Sequence, residues 1–231
     1  MQDPLASLID TCLSKDRLSA YSWHGSQDLI ERLARYTWNI QLSESLYPAL
    51  NYLEVALRNS IHAVASSHFA DGLWYVSGAC QFDENAVEII EEAKQRLVIA
   101  KKPIEAGRLV AELHFGFWTS LFNGRYEHIL WRPALHAAFP HKPSGITRKK
   151  LSSRLNKIRE LRNRVFHYEP IWHWTDLAER HGQILEVLDW IDPTARRAVE
   201  MVDRFPVVFE AGIVDQERLW GNLAIYVGDG E

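Results

Sequence analysis

Arg162 and His167 stand five residues apart, with Asn163 directly after the arginine, at the end of a basic stretch of the chain. Together these side chains divide the chemistry of a phosphodiester. A guanidinium stays charged and forks onto phosphate oxygens, so it can carry the charge that builds on a phosphorane. An imidazole titrates near neutrality and can take or return a proton. Cutting RNA without a metal requires a base for the 2′-hydroxyl, an acid for the departing 5′-oxygen and a cation between them. The product expected from such a site is a 2′,3′-cyclic phosphate. A histidine near a helix C-terminus is held more readily in its charged form, which favours the acid role unless Arg162 offsets it.

The surroundings add charge. Between Lys142 and Arg164 stand nine Lys or Arg residues and one acid, Glu160, in a chain whose formal net charge is −4. A solvated helix face is the plain reading of such a run, but solvated helices usually mix their signs. An anionic partner, most simply an RNA backbone, is the other reading. Lys149, Lys150, Arg154, Lys157 and Arg164 are the residues expected to meet it.

Stepping residues at about 100° around a helix gathers Leu151, Leu155, Ile158, Leu161, Val165 and Phe166 into one apolar stripe. Arg162 falls near its middle, where a guanidinium is costly without a compensating partner. Glu54, close to the stripe of an earlier helix, is the candidate to neutralise or orient it. A local Glu54–Arg58 pair within that helix is the competing expectation. Asn163 and His167 lie on a different face, about 140° from Arg162 for His167. Sharing one site then needs either an unwound helix end, which Pro170 would permit, or a second copy of the chain.

The elements that must hold these residues all read as helices. Ser26 is the expected cap of a helix ending near Leu42, followed by a second from about Ser43 to Phe69 with Pro48 in its first turn. Further helices are expected over 83–102, 106–122, 126–139, from Thr147 to His167, and over about 175–190 and 193–204. Strand-like text appears in PVVF and LAIYV of the tail, which the pattern leaves unplaced. The N-terminus has no basic leader, and no stretch approaches the ~18 apolar residues of a membrane span. With only Cys12 and Cys80, a disulfide framework is not expected, and the cytoplasm is the expected compartment.

Arg162-Asn163-Arg164-Val165-Phe166-His167 fits the R-x4-H motif of HEPN domains. Around it, LEVALRN (53–59), GRLVAELHFGFWTSLF (107–122), ILWRPALHAAFP (129–140) and IRELRNRVFHYEPI (158–171) resemble the Abi-like, abortive-infection branch of that superfamily. The resemblance covers about residues 30 to 192. It implies an all-α, HEPN-like bundle with additional helices: one domain over 1–231, a core at about 26–192 and an extension over 193–231. It also implies a homodimer, metal-independent endoribonuclease activity without a cofactor, and a role in phage defence or as a toxin paired with an antitoxin protein. Carried over by position, Arg162 and His167 are the catalytic pair and Asn163 the supporting polar residue; Glu54 and Arg58, read from their places along the edge of the earlier helix's stripe, are expected to support them. Some HEPN proteins are inactive, so a non-catalytic RNA- or partner-binding module is the alternative, and a purely structural dimer a third.

The remaining histidines lack ligand spacing near a carboxylate cluster, so no metal site is expected. Trp118, Trp131 and Trp190 fall at apolar helical positions and read as core, whereas Trp172 and Trp174 are candidates to line the site.

Overall fold

A computed structural model describes residues 8–228 apart from Ser77 and Ala79. The first seven residues of the segment read as lacking a leader, and the last three of the expected extension, lie outside the described residues. The described residues are all-α. None of their helices is long and apolar enough to cross a membrane.

The helices are α1 (Lys15–Ser19), α2 (Leu29–Phe69), α3 (Glu84–Ile99), α4 (Ala106–Glu112), α5 (Phe115–Ser120), α6 (Arg148–Phe166), α7 (Leu177–Ile191), α8 (Pro193–Glu200), α9 (Phe205–Ala211) and α10 (Val214–Gly228). Their chain contacts divide into two compact units. A terminal unit contains the residues up to Tyr47, Asn163–Glu179 and those from Asp203; a central unit contains Pro48–Arg162 and Arg180–Val202.

Several expected boundaries are corrected. The two helices expected over 26–69 are one, and Pro48 lies inside it rather than in a first turn. Proline removes a single N–H from the ladder. Leu42, Leu46, Ala49 and Leu50, buried on both sides of it, favour continuing the helix. The cap is Asp28, not Ser26: its Oδ1 accepts from the Ile30 N–H at 2.8 Å. The helix expected over 106–122 is broken into α4 and α5 at His114. The one expected over 126–139 is a series of short 3₁₀ and π turns around Pro133.

The strand-like tail is helical. Pro206 starts α9, where its missing N–H costs nothing. In α10 the Trp220 indole donates to Thr37 Oγ1 at 2.9 Å and Gln216 to Gln41 at 3.0 Å. Packing of Trp220 and Ala224 beside Leu18, Leu29, Ile30 and Leu33 outweighs the β-propensity of the text. This ties the C-terminal residues to the start of α2 within the terminal unit.

In the central unit, Leu53, Leu57, Ile61, Ile90, Leu97, Trp118, Leu155, Ile158, Leu161, Ile184 and Leu188 are buried. Trp118, Trp131 and Trp190 are buried as expected of core residues. Cys80 is buried too, and burial pushes its thiol up to about 12. Because only the thiolate reacts, an alkylating reagent at neutral pH is expected to label exposed Cys12 and spare Cys80 until the chain is unfolded. Mass spectrometry of the two peptides checks this; equal labelling in the native protein would contradict the burial.

Candidate functional site

Helix α6 carries the candidate residues. Thr147 Oγ1 caps its start by accepting from the Lys150 N–H at 3.3 Å. Leu151, Leu155, Ile158, Leu161 and Val165 are buried as the stripe predicts. Phe166 is the departure: it is 38 % exposed, with its ring 5.9 Å from that of Tyr47.

In the central unit, Arg162 Nε lies 3.3 Å from Glu54 Oε2, and both side chains are about three-quarters buried. Glu54 therefore meets Arg162 on α6 rather than pairing with Arg58, settling the two expectations in favour of the longer-range contact. Arg58, one turn further along α2, has its Nε buried without a hydrogen-bond partner among the described residues. His62, next on the same edge, accepts from the Trp74 indole at 3.3 Å, and burial holds its imidazole below the usual range. His62 is a half-buried histidine held by the Trp74 indole.

The Glu54–Arg162 contact is partly wetted, so solvent screening limits its strength. A double-mutant cycle with Glu54→Gln and Arg162→Gln is expected to return a coupling of about 0.5–1 kcal/mol in urea unfolding. A coupling indistinguishable from zero would show that the pair orients Arg162 no better than solvent does.

The basic face is less free than its composition suggests. Arg148 is ion-paired with Glu127 and donates to the Phe122 carbonyl. Arg154 is paired with Glu186 and lies over the Trp190 ring, 4.7 Å from its centroid. Glu160 accepts from Arg180 at 2.7 Å. Lys149, Lys150 and Lys157 stay exposed, the first and last beside Ser153. Lys150 Nζ also donates to the Gly145 carbonyl at 3.4 Å, and Arg148 and Arg154 are committed to neighbouring elements.

In the terminal unit, α6 does not end loosely. The His167 N–H donates to the Asn163 carbonyl at 2.9 Å, and the Glu169 N–H reaches back to the Arg164 carbonyl at 2.9 Å. Tyr168 between them takes a left-handed conformation, φ 58°, at about 1–2 kcal/mol for a non-glycine residue. This is a Schellman-type cap with tyrosine where glycine is usual, so the unwound end expected from Pro170 is corrected to a closed one. Two arginines hold the turn. Arg17 donates to the Tyr168 carbonyl, and Arg164 donates to the Pro170 carbonyl at 3.2 Å. Arg164 also faces Glu169 at 3.6 Å and covers the Trp174 ring at 5.2 Å. Its contacts hold the loop.

Beyond the turn, Asn39 of α2 accepts two backbone N–H groups through one Oδ1, from Ile171 at 2.7 Å and Trp172 at 3.1 Å. Asn39 is 3 % exposed. The sequence reading missed it, although a polar residue inside an apolar helical stretch was the available signal. Asn163 and His167 are exposed. Trp172 packs among Tyr21, Trp23 and Arg35, as a structural residue of this loop. Beside the turn lies a mostly apolar cleft of about 640 Å³ lined by Tyr21, Tyr36, Tyr47, Val165, Phe166 and Tyr168, among others.

Compared with protein-family models, with curated proteins and with solved structures, the chain matches none of them.

Proposed function

We propose that this chain is a metal-independent endoribonuclease of the HEPN type, Abi-like, acting in phage defence by abortive infection or as a toxin restrained by an antitoxin protein. The observation that carries the reading is the R-x4-H motif at the end of a basic helix. Its arginine is held by a buried-edge carboxylate, Glu54, and its histidine is exposed immediately before a fixed left-handed turn. A histidine that must exchange protons with RNA has to be accessible and well placed at once.

The closed helix end shapes the mechanism. Positions five apart on a regular helix stand about 140° from one another, so one phosphate is reached by Arg162 of one chain and His167 of a second. In the proposed step His167 gives its proton to the departing 5′-oxygen while the 2′-oxygen closes on phosphorus. Arg162 carries the charge on the non-bridging oxygens, and Asn163 orients the substrate beside it. The base that receives the 2′-proton is a hydroxide from solvent.

Incubation of purified protein with mixed RNAs in EDTA tests the reading, with analysis of the new 3′-ends. Cleavage leaving cyclic phosphates, lost in His167→Ala, supports the nuclease. The three exposed lysines favour RNA binding even without turnover, so salt-sensitive binding with no cleavage would support the non-catalytic module instead.

A further inference from the structure

A second imidazole shares the surface on which Arg162 lies. His114 occupies the break between α4 and α5, and its Nδ1 accepts from the Phe117 N–H at 3.2 Å. That bond fixes the tautomer, leaving the ring proton on Nε2 as a donor. The ring lies over Gly116 so closely that a Cβ there would sit 3.0 Å from two ring atoms and 3.9 Å from Arg159 Cδ. Arg159 and Arg162 are one turn apart on α6 and hence neighbours. Among the described residues Arg159 enters no ion pair, whereas Arg162 is matched by Glu54 at 3.3 Å, and Arg96 by Glu112 at 3.3 Å and Glu92 at 3.8 Å. Arg159 is thus the guanidinium of the cluster that no described carboxylate matches. His114 is exposed, and burial of its inner edge, followed by the Arg96 and Arg162 guanidiniums, holds its imidazole below the usual range.

We propose that His114, Arg159 and Arg162 form one phosphodiester-binding site of the central unit, the neutral imidazole donating its Nε2–H to the oxygen that the two guanidiniums flank. The site rests on the nuclease reading for the identity of its ligand as RNA, but its geometry belongs to the central unit alone. His114 acts there as a positioning residue. A neutral N–H is a poor acid, and its other nitrogen is engaged by the main chain. Gly116 is part of the device, since any larger residue crowds the ring at 3.0 Å.

Three variants separate this role from a structural one. His114→Ser keeps a helix-capping oxygen and removes the outer donor. Arg159→Gln removes the unpaired charge. Gly116→Ala adds the Cβ that displaces the ring while favouring the helix. Each is made in a His167→Ala background and titrated with a fluorescein-labelled single-stranded RNA. The expected result is about tenfold weaker binding for His114→Ser and Arg159→Gln, the size of one hydrogen bond to a charged group. Gly116→Ala is expected to bind several-fold more weakly while melting no lower than its parent, a combination that loss of fold does not produce. Inorganic phosphate, followed through the ¹⁵N resonance of His114 Nε2, is expected to shift that signal in the wild-type chain and not in Arg159→Gln. RNA binding unchanged in His114→Ser, or a His114 signal indifferent to phosphate, overturns the proposal. A phosphate-dependent shift in a protein that cleaves no RNA would sink the nuclease reading and leave this site standing.

Discussion

His167→Ala lowers the rate of RNA cleavage in EDTA by about 10²- to 10⁴-fold, the range for removing a positioned acid or base, and leaves thermal unfolding unchanged. The second half of that expectation follows from exposure. His167 is solvent-facing, and the hydrogen bond that places it runs from its main-chain N–H to the Asn163 carbonyl. Alanine keeps that bond, and exposed substitutions of this kind stay within about 0.5 kcal/mol. Arg162→Ala is expected to lose as much activity, but it also strands Glu54, so His167 is the cleaner probe.

Mixing the two inactive variants tests the arrangement across copies. If each phosphate is served by Arg162 of one chain and His167 of the other, a mixed dimer of Arg162→Ala and His167→Ala has one intact site and one without either residue. Random exchange of chains then restores about a quarter of the wild-type activity, as the symmetry of a two-fold interface requires. No recovery on mixing, with chain exchange verified, rules out the composite site. Wild-type cleavage rates in His167→Ala alone would mean that the activity belongs to something else.

Asn39→Leu destabilises the chain by about 2–4 kcal/mol in urea unfolding, and Asn39→Asp by much less. One Oδ1 serves two main-chain donors, Ile171 and Trp172, and Ile171 is fully buried. Leucine fills a similar volume but leaves both N–H groups without an acceptor, at about 1–3 kcal/mol for each buried group. Aspartate keeps the oxygen. The same clamp fixes the strand of chain that follows the Tyr168 turn, so Asn39→Leu is expected to lower cleavage as well, although His167 itself is untouched. If Asn39→Leu unfolds at the wild-type urea concentration, the two hydrogen bonds contribute nothing and the turn must be held by Arg17 and Arg164 alone.

The all-α class, the apolar stripe of α6 and the ends of α6 and α7 follow from the sequence by itself, because a 3.6-residue period and capping chemistry are local properties. Leu151, Leu155, Ile158, Leu161 and Val165 are buried where that period puts them. The charge at Arg162, set into the same stripe, was enough to name Glu54 as a partner, though not to choose that contact over a local Glu54–Arg58 pair. What only the tertiary structure decided was which residues distant in the chain meet. Leu42, Leu46, Ala49 and Leu50 carry α2 past Pro48, and Trp220 folds strand-like text as helix because its indole finds Thr37. Glu127 and Glu186 take Arg148 and Arg154 out of the basic face. Asn39 reaches a loop 132 residues away, and His114 joins Arg159 across a helix break. Each of these is a pairing between segments, and no local period encodes the identity of a partner that folding alone brings near.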